Sequence, residues 1–509
     1  MKALLLALVV VLPLAGCARF PTPEGRTISS VQRDTADTRL GRAVQPRVAA
    51  HPRESGVFEL RNGRDAFAAR ALLAAAAQRT LDVQYYIWHD DLSGTLLFDA
   101  LLHAAERGVR VRLLLDDNNT AGLDPLLVAL DAHANIEVRL FNPFPSRRWR
   151  WLGYLTDFER LNRRMHNKSF TADNQVTIVG GRNVGDEYFG AGQELLFLDL
   201  DLMAIGPVVD EVSIDFDRYW ASASAWPVDR IVGDVDAPDE VDLAESAARA
   251  ELDPAAAEYL RAVAQQAFVR ELLDGTLELE WAPAHLVSDD PAKGLGLAEE
   301  DAMLPSRLSD LLGNPQAELE LVSPYFVPAK VGTEALTRMA AEGVRVRVLT
   351  NSLEATDVVV VHAGYARRRK ALREAGVELF EMKGGVAPDP VRDRGFAGSS
   401  SSSLHAKTFA VDRARIFVGS FNFDPRSARL NTEMGVVVDS PVLADRIADV
   451  FDRQVPRLAY EVRLDDQREL RWIEPVDDRR IVHTDEPYAS LARRVGAWLV
   501  SLLPVEWLL

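Results

Sequence analysis

The hydrophobic pattern of this chain is written twice. Leu81-Asp82-Val83-Gln84-Tyr85-Tyr86-Ile87 predicts a buried strand. Leu96, Leu97, Ala100, Leu101 and Ala104 then recur at helical spacing, and Gly108 ends that helix. Val109-Arg110-Val111-Arg112-Leu113-Leu114-Leu115 follows as a second strand that alternates at its start. The same order returns in Leu319-Glu320-Leu321-Val322-Ser323-Pro324-Tyr325-Phe326, a helical stretch, and Gly343-Val344-Arg345-Val346-Arg347-Val348-Leu349. Strand–helix–strand units of this length favour parallel strands beneath helices.

A second stretch repeats more tightly. Residues 166–194 align with 405–433 without a gap. The shared positions are His166/His405, Lys168/Lys407, Phe170/Phe409, Asp173/Asp412, Val179/Val418, Gly180/Gly419, Asn183/Asn422 and Glu194/Glu433. Phe216-Asp217-Arg218 then matches Phe451-Asp452-Arg453. Polar residues returning at fixed intervals are hard to explain by packing alone, so two homologous α/β halves are expected, at 55–225 and 281–460. The Ala-, Asp- and Glu-rich stretch between them predicts a helical connector over 226–280. Residues 384–403, with Gly384-Gly385, Pro388, Pro390 and Ser399 to Ser403, predict a loop that runs into His405.

Each copy carries His-x-Lys-x4-Asp. Residues two apart on a strand share a face, so His166 and Lys168 can converge on one point, as can His405 and Lys407. An ammonium offsets negative charge and an imidazole attacks or moves a proton, which suits a phosphate. One such pair is a weak signal that a solvated strand face also explains. Two copies with the same Asp, Asn and Glu spacing are a strong one.

Composition narrows the function. The 509 residues suffice for two or three domains, and 48% hydrophobic with 26% charged residues describes a globular body. A net charge of -18 argues against a general nucleic-acid binder, although it leaves room for a local basic pocket. Cys17 is the only cysteine, so intrachain disulfides and Cys-based zinc sites are excluded. Lys2, the apolar run 3–12 and Leu14-Ala15-Gly16-Cys17 read as a secretory signal that ends on that cysteine. The segment resembles a bacterial lipobox. A signal peptide over 1–16, lipidation at Cys17 and a tether over 17–54 are therefore expected, with an exported, lipid-anchored, periplasm-facing body. Ala18 after the cysteine points weakly to the outer membrane.

The segments Arg164 to Asp173 and Leu404 to Asp412 resemble the paired HKD motifs of the phospholipase D superfamily. Gly180-Gly181-Arg182-Asn183 and Gly419-Ser420-Phe421-Asn422 are similar to its phosphate-contacting turns. Within the superfamily, Gln84 to Asp91, Leu115 to Thr120 and Gly185 to Phe189 look like the bacterial cardiolipin synthase C type. The resemblance implies two α/β/α sandwiches with mixed sheets, related by a pseudo-twofold axis, with one site at the seam and neither half active alone. It implies catalysis by His166, Lys168, Asp173, His405, Lys407 and Asp412, with a structural hydrogen-bonding role favoured for the two aspartates. One histidine, taken as His166, attacks phosphorus, and the other handles protons at the leaving and incoming alcohols. Lys168, Lys407, Asn183 and Asn422 would hold the non-bridging oxygens, with Ser420 assisting. Glu194 and Glu433 would each orient a catalytic histidine. No metal or other cofactor is required, because lysines and a protonated histidine supply the positive charge.

The resemblance further suggests phosphatidylglycerol and phosphatidylethanolamine as substrates, at a membrane and without nucleic acid. The aromatic, basic run Arg147-Arg148-Trp149-Arg150-Trp151 through Arg160, Arg163 and Arg164 suits a headgroup region, or else a solvated helix. The C-terminal extension, 461–509, places Leu491, Val495, Trp498, Leu499 and Leu502 on one helical face, as an interfacial helix or one docked on the body. Phospholipid hydrolysis, an exported nuclease and a non-catalytic membrane scaffold stay open at this point.

Overall fold

A computed structural model describes residues 26–191, 199–233, 254–273, 275–384, 404–476, 479–502 and 506. Cys17, the signal segment, Glu194 and the loop 385–403 lie outside these residues. The first sheet holds nine strands: β1 (Ser55–Leu60), β2 (Thr80–Tyr85), β3 (Arg110–Asp116), β4 (Ile136–Phe141), β5 (Ser169–Ala172), β6 (Val176–Gly180), β7 (Asp201–Ile205), β8 (Ala225–Pro227) and β9 (Glu280–Ala282). The second holds β10 (Ala284–Ser288), β11 (Glu318–Val322), β12 (Arg345–Asn351), β13 (Glu378–Met382), β14 (Thr408–Val411), β15 (Arg415–Gly419), β16 (Met434–Val438), β17 (Ala459–Leu464), β18 (Leu470–Val476) and β19 (Arg479–His483). The orders are β8-β4-β3-β2-β5-β6-β7-β1-β9 and β10-β16-β15-β14-β11-β12-β13-β17-β18-β19. Read in opposite directions, eight strands correspond one to one, so the fold is two copies of one mixed sheet. In each copy three central strands are parallel and the strands of the motif hairpin are antiparallel.

One face of each sheet packs on an apolar helix layer, Gly63–Ala76 and Leu92–Glu106 in the first half and Leu304–Leu312 and Ala329–Ala341 in the second. The other face turns toward the partner half. There Val179, Leu202 and Ala204 share a core with Ala410, Ile416, Val418 and Val436, beside helices Pro207–Trp220 and Pro441–Asp449. The alternation in Val-Arg-Val-Arg is real, yet the second arginine of each run does not meet water. Arg112 is buried, paired bidentately with Asp82 at 2.7 and 2.8 Å and with Asp217 at 2.8 Å, under the Phe216 ring. Arg347 repeats this with Glu320 at 2.6 Å, Asp452 at 2.5 Å and the Phe451 ring. The repeated Phe-Asp-Arg therefore closes each sheet over a buried guanidinium.

The motif aspartates also act at a distance from the histidines. Asp173 and Asp412 sit in the β5–β6 and β14–β15 turns with φ of 50° and 52°, a conformation Asp tolerates better than most residues. Each accepts three backbone N–H groups, from Gln78, Arg79 and Thr80 or from Gln316, Ala317 and Glu318. They lock the entry into β2 and β11, at the strand ends remote from His166 and His405. Their place is in hairpin architecture, not among groups facing a reacting phosphate.

Several expected boundaries move. Residues 26–31 are not a loose tether: the carbonyls of Thr27, Ser29 and Ser30 accept from Arg139, Arg112 and Arg110, whose buried donors need them. Residues 39–50 form a helix capped by Thr38. The connector supplies both edges of the first sheet, β8 against β4 and β9 against β1, so the crossing to the second half falls at Pro283. The second sheet runs past residue 460, because β17 pairs with β13 and carries β18 and β19.

Replacing Arg112 with Ala leaves the buried Asp82 without its bidentate partner and with only Arg110 at 3.8 Å, and is expected to cost about 3–5 kcal/mol of stability. The double variant Arg112→Met with Asp82→Leu should recover most of that loss. Denaturant unfolding of the two variants measures the difference.

Candidate active site

The site forms where the C-terminal ends of the parallel strands of both halves meet, the usual place for a ligand in such sheets. Asp116, at the end of β3, is buried against Arg164 at 2.8 Å and accepts the Met165 N–H at 2.7 Å. This fixes the chain just before His166. Met165 then bridges in parallel to Thr432: His166 N–H donates to the Thr432 carbonyl and Thr432 N–H to that of Arg164, both at 2.9 Å. The first motif is thus stitched to the second half, one residue before Glu433.

That register crosses the two halves. His166 Nδ1 lies 2.8 Å from Glu433 Oε2, and His405 Nδ1 lies 2.6 Å from Asp199 Oδ2. Each imidazole takes its carboxylate from the opposite half, and Lys407 Nζ lies 3.2 Å from His405 Nε2. Glu433 had been expected to orient a histidine. Glu194 had been expected to do the same, but the carboxylate on His405 is Asp199. Gly180 pairs with Asp201 and Gly419 with Gly435, so Asp199 and Glu433 are equivalent and the first half holds five extra residues between these points. The gap-free alignment conceals that insertion. Aligning the strands β7 and β16 instead of the acidic letters reveals it.

The two dyads differ in build. The Ser420 hydroxyl donates to Glu433 Oε2 and accepts the Met434 N–H at 3.0 Å. Ser420 therefore props the longer acid and has its hydroxyl committed there, where contact with substrate had been expected. Its counterpart Gly181 has no room for a side chain, since a Cβ would stand 2.3 Å from Asp199 Oδ1. Asp199 fills the space of the missing side chain. Behind Glu433, Asp289 accepts its N–H at 2.8 Å and pairs with the buried Lys293 at 2.9 Å.

Electrostatics separate the histidines further. Burial, then Lys168 and Lys407, push His166 well below its usual range. Burial and Lys407 lower His405 to about 4, against the pull of Asp199. Burial would raise Asp199, but His405, Lys407 and Arg182 hold it below the ordinary carboxylate range. Burial pushes Glu433 up to about 7, with Lys168 and Ser420 opposing. So His405 faces an ionised partner, whereas burial pushes up the carboxyl that faces His166. Burial also drives Lys168 well below its usual value, with Lys407 adding to the effect, and lowers Lys407 to about 8 against the pull of Asp199 and Glu433. Lys168 acts on His405 and Lys407 on His166. Four groups from two halves thus share one pocket with a surplus of reluctant cations, a setting that favours an anion.

Asn183 and Asn422 are both buried but not alike. Asn183 accepts from Ile87 N–H at 3.2 Å and donates to Tyr188 Oη at 3.1 Å. Asn422 keeps a buried Oδ1 with no partner among the described residues. Tyr86 stands edge-on to His166 with centroids 4.9 Å apart, and Tyr188 to His405 at 5.2 Å. Asp199 escaped the sequence reading because it lies outside the repeated letters, and Tyr86 and Tyr188 stood in segments that the resemblance marked without giving either ring a role. His362 bonds Glu486 at 3.3 Å, away from the site. His89, Asp91 and Glu187 bring metal-capable atoms together, but Asp91 already accepts the N–H groups of Gly94 and Asp186.

Comparison with known proteins agrees with this architecture. The family model described as "Cardiolipin synthase, PLD-like domain" matches residues 71–220 and 308–455, one match per half. The chain is 53% identical to "Cardiolipin synthase C" of Escherichia coli, covering 92% of this chain and all of that one. It is 26% identical to "Cardiolipin synthase A" of Pseudomonas syringae, over 81% of this chain and 70% of that one. Among solved structures it superposes on phosphatidylserine synthase of Haemophilus influenzae with a TM-score of 0.57 and 14% identity, over 92% of this chain and all of that one. With two matched domains and crossed histidine pairs, the chain belongs to the phospholipase D superfamily, as a phosphatidyltransferase of the cardiolipin synthase type.

Proposed function

We propose that this enzyme moves a phosphatidyl group from one phospholipid onto another to form cardiolipin, through a phosphohistidine. The crossing of the two His–carboxylate dyads is the observation that carries this reading. It presents two Nε2 atoms to one phosphate, and the 53% identity to a protein named cardiolipin synthase C supports the product. His166 attacks phosphorus through Nε2. The P–O bond to the leaving alcohol breaks as the His405 imidazolium protonates that oxygen. His405 then takes the proton of an incoming lipid hydroxyl, whose oxygen attacks phosphorus and breaks the P–N bond to His166. Lys168 and Lys407 offset the charge on the non-bridging oxygens, and Asn422 has unspent hydrogen-bonding capacity to join them. Asn183 acts by holding Tyr188. Asp199, ionised, supports the imidazolium, as a buried carboxylate does in other histidine-based sites.

The lipids on this reading are phosphatidylglycerol and phosphatidylethanolamine. The body is anchored by lipid on Cys17 and faces the periplasm. Support comes from the sequence around Cys17, and from the described residues, among which no helix is long and apolar enough to cross a membrane.

The decisive test is mass spectrometry of lipids made by purified protein in vesicles of those two phospholipids. Wild type should yield cardiolipin, and His166→Ala and His405→Ala should each abolish it; phosphatidic acid alone would make the enzyme a hydrolase. Asp199→Asn should lower kcat by roughly 10²–10⁴-fold, and Glu194→Gln should not, in the same assay. Because Lys407 is pushed down to about 8, its ammonium is lost as pH rises through that value. The kcat/KM profile should therefore fall above about pH 8, and Lys407→Arg should remove that limb from the range up to pH 10.

A further inference from the structure

Two apolar patches stand over equivalent strand ends, one in each half, on either side of the site. In the first half, the segment after β4 is pinned from below at the end of β3. Arg147 pairs with Asp117, Arg150 donates to the Asp117 carbonyl, and Tyr154 Oη donates to Asn118 at 2.9 Å. That side being fixed, Trp149, Trp151, Leu155 and Phe158 point outward, Trp151 at 63% and Leu155 at 74% exposure. Arg148 lies exposed beside Trp149.

In the second half, helix Leu491–Ser501 is held in the same way. Arg493 donates to the carbonyls of Leu353 and Thr356, in the loop after β12, the counterpart of β3. Ala497 and Val500 pack inward on Leu353 and Val359, while Leu491, Val495, Trp498, Leu499 and Leu502 form the outer face. Leu491 is 76% exposed and Trp498 61%. Both supports reach the same place. Asn119, next to the Asn118 that holds Tyr154, donates to the Tyr86 carbonyl at 3.2 Å, and the Tyr86 ring stands on His166. Asn351, two residues before Leu353, donates to the Leu404 carbonyl at 3.1 Å, one residue before His405.

We propose that the two patches form a single bilayer-docking face that sets the mouth of the site against the headgroup layer. Aromatic and aliphatic side chains fringed by arginine are the composition that enters the lipid interface. The occupant is argued from continuity: the patches flank the opening through which a headgroup must pass. The inference rests on the reading that the substrates are phospholipids in a bilayer.

The test uses the full-length protein on vesicles of phosphatidylglycerol and phosphatidylethanolamine, part of them with brominated acyl chains that quench nearby tryptophan. Bromolipid should quench the wild type, and the quenched fraction should shrink both in Trp149→Phe with Trp151→Phe and in Trp498→Phe. An unchanged fraction in both sets overturns the proposal. Leu155→Asp with Leu499→Asp should lower turnover on vesicles about tenfold or more, with no change on a short-chain phospholipid dissolved as monomers. An equal loss on both substrates overturns it as well. So does self-association abolished by these substitutions without any bromolipid quenching, which would assign the face to a second copy. Quenching does not depend on turnover, so its outcome is separable from that of the catalytic reading.

Discussion

The crossing of the two histidine–carboxylate bonds is the constraint around which this molecule is arranged. A buried imidazole needs its Nδ1 satisfied, and here the acceptor always comes from the other half. Such bonds tolerate little error in position. The parallel bridge between Met165 and Thr432, the grip of Asp116 on Arg164 and the anchoring of Glu433 by Asp289 all serve that register. Half a molecule would hold a motif with an unoriented histidine.

Charge is handled in two ways within the same fold. Away from the site, Arg112 and Arg347 are buried with two acids each and an aromatic lid, so their charge is fully matched. At the site, Lys168 and Lys407 lie together with one firmly ionised acid, Asp199, and one acid pushed up by burial, Glu433. Burial makes those two ammonium groups costly, and a phosphodiester between them would offset that cost. The duplicated fold also breaks its own symmetry where function asks for two different histidines. Glu433 is propped by Ser420, whereas Asp199 occupies the space that Gly181 leaves open. That exchange of one long and one short acid sets the two imidazoles in unequal fields.

Much of this was legible in the chain because duplication repeats both letters and spacing. The paired His-x-Lys, the parallel strand units and the Phe-Asp-Arg echoes marked two halves and one shared site. What misled was the assumption that equal spacing means equal role. Glu194 stands where the letters align, yet a five-residue insertion gives Asp199 the position. Ser420 stood in a turn expected to touch phosphate and instead supports an acid. Arg112 and Arg347 alternate with valines at the start of β3 and β12, and both are buried under residues from later in the chain.

The sequence by itself determined the strand and helix units, their duplication and the return of His-x-Lys once in each half. These follow from local rules of period and backbone conformation, which act within a few residues. Only the tertiary structure decided which carboxylate meets which histidine, which asparagine keeps a free polar atom, and that segments 149–158 and 491–502 are held at the ends of β3 and β12. Each of those is a meeting of residues far apart in the chain. Their distance is set by how two sheets pack, and no periodicity along the chain records it.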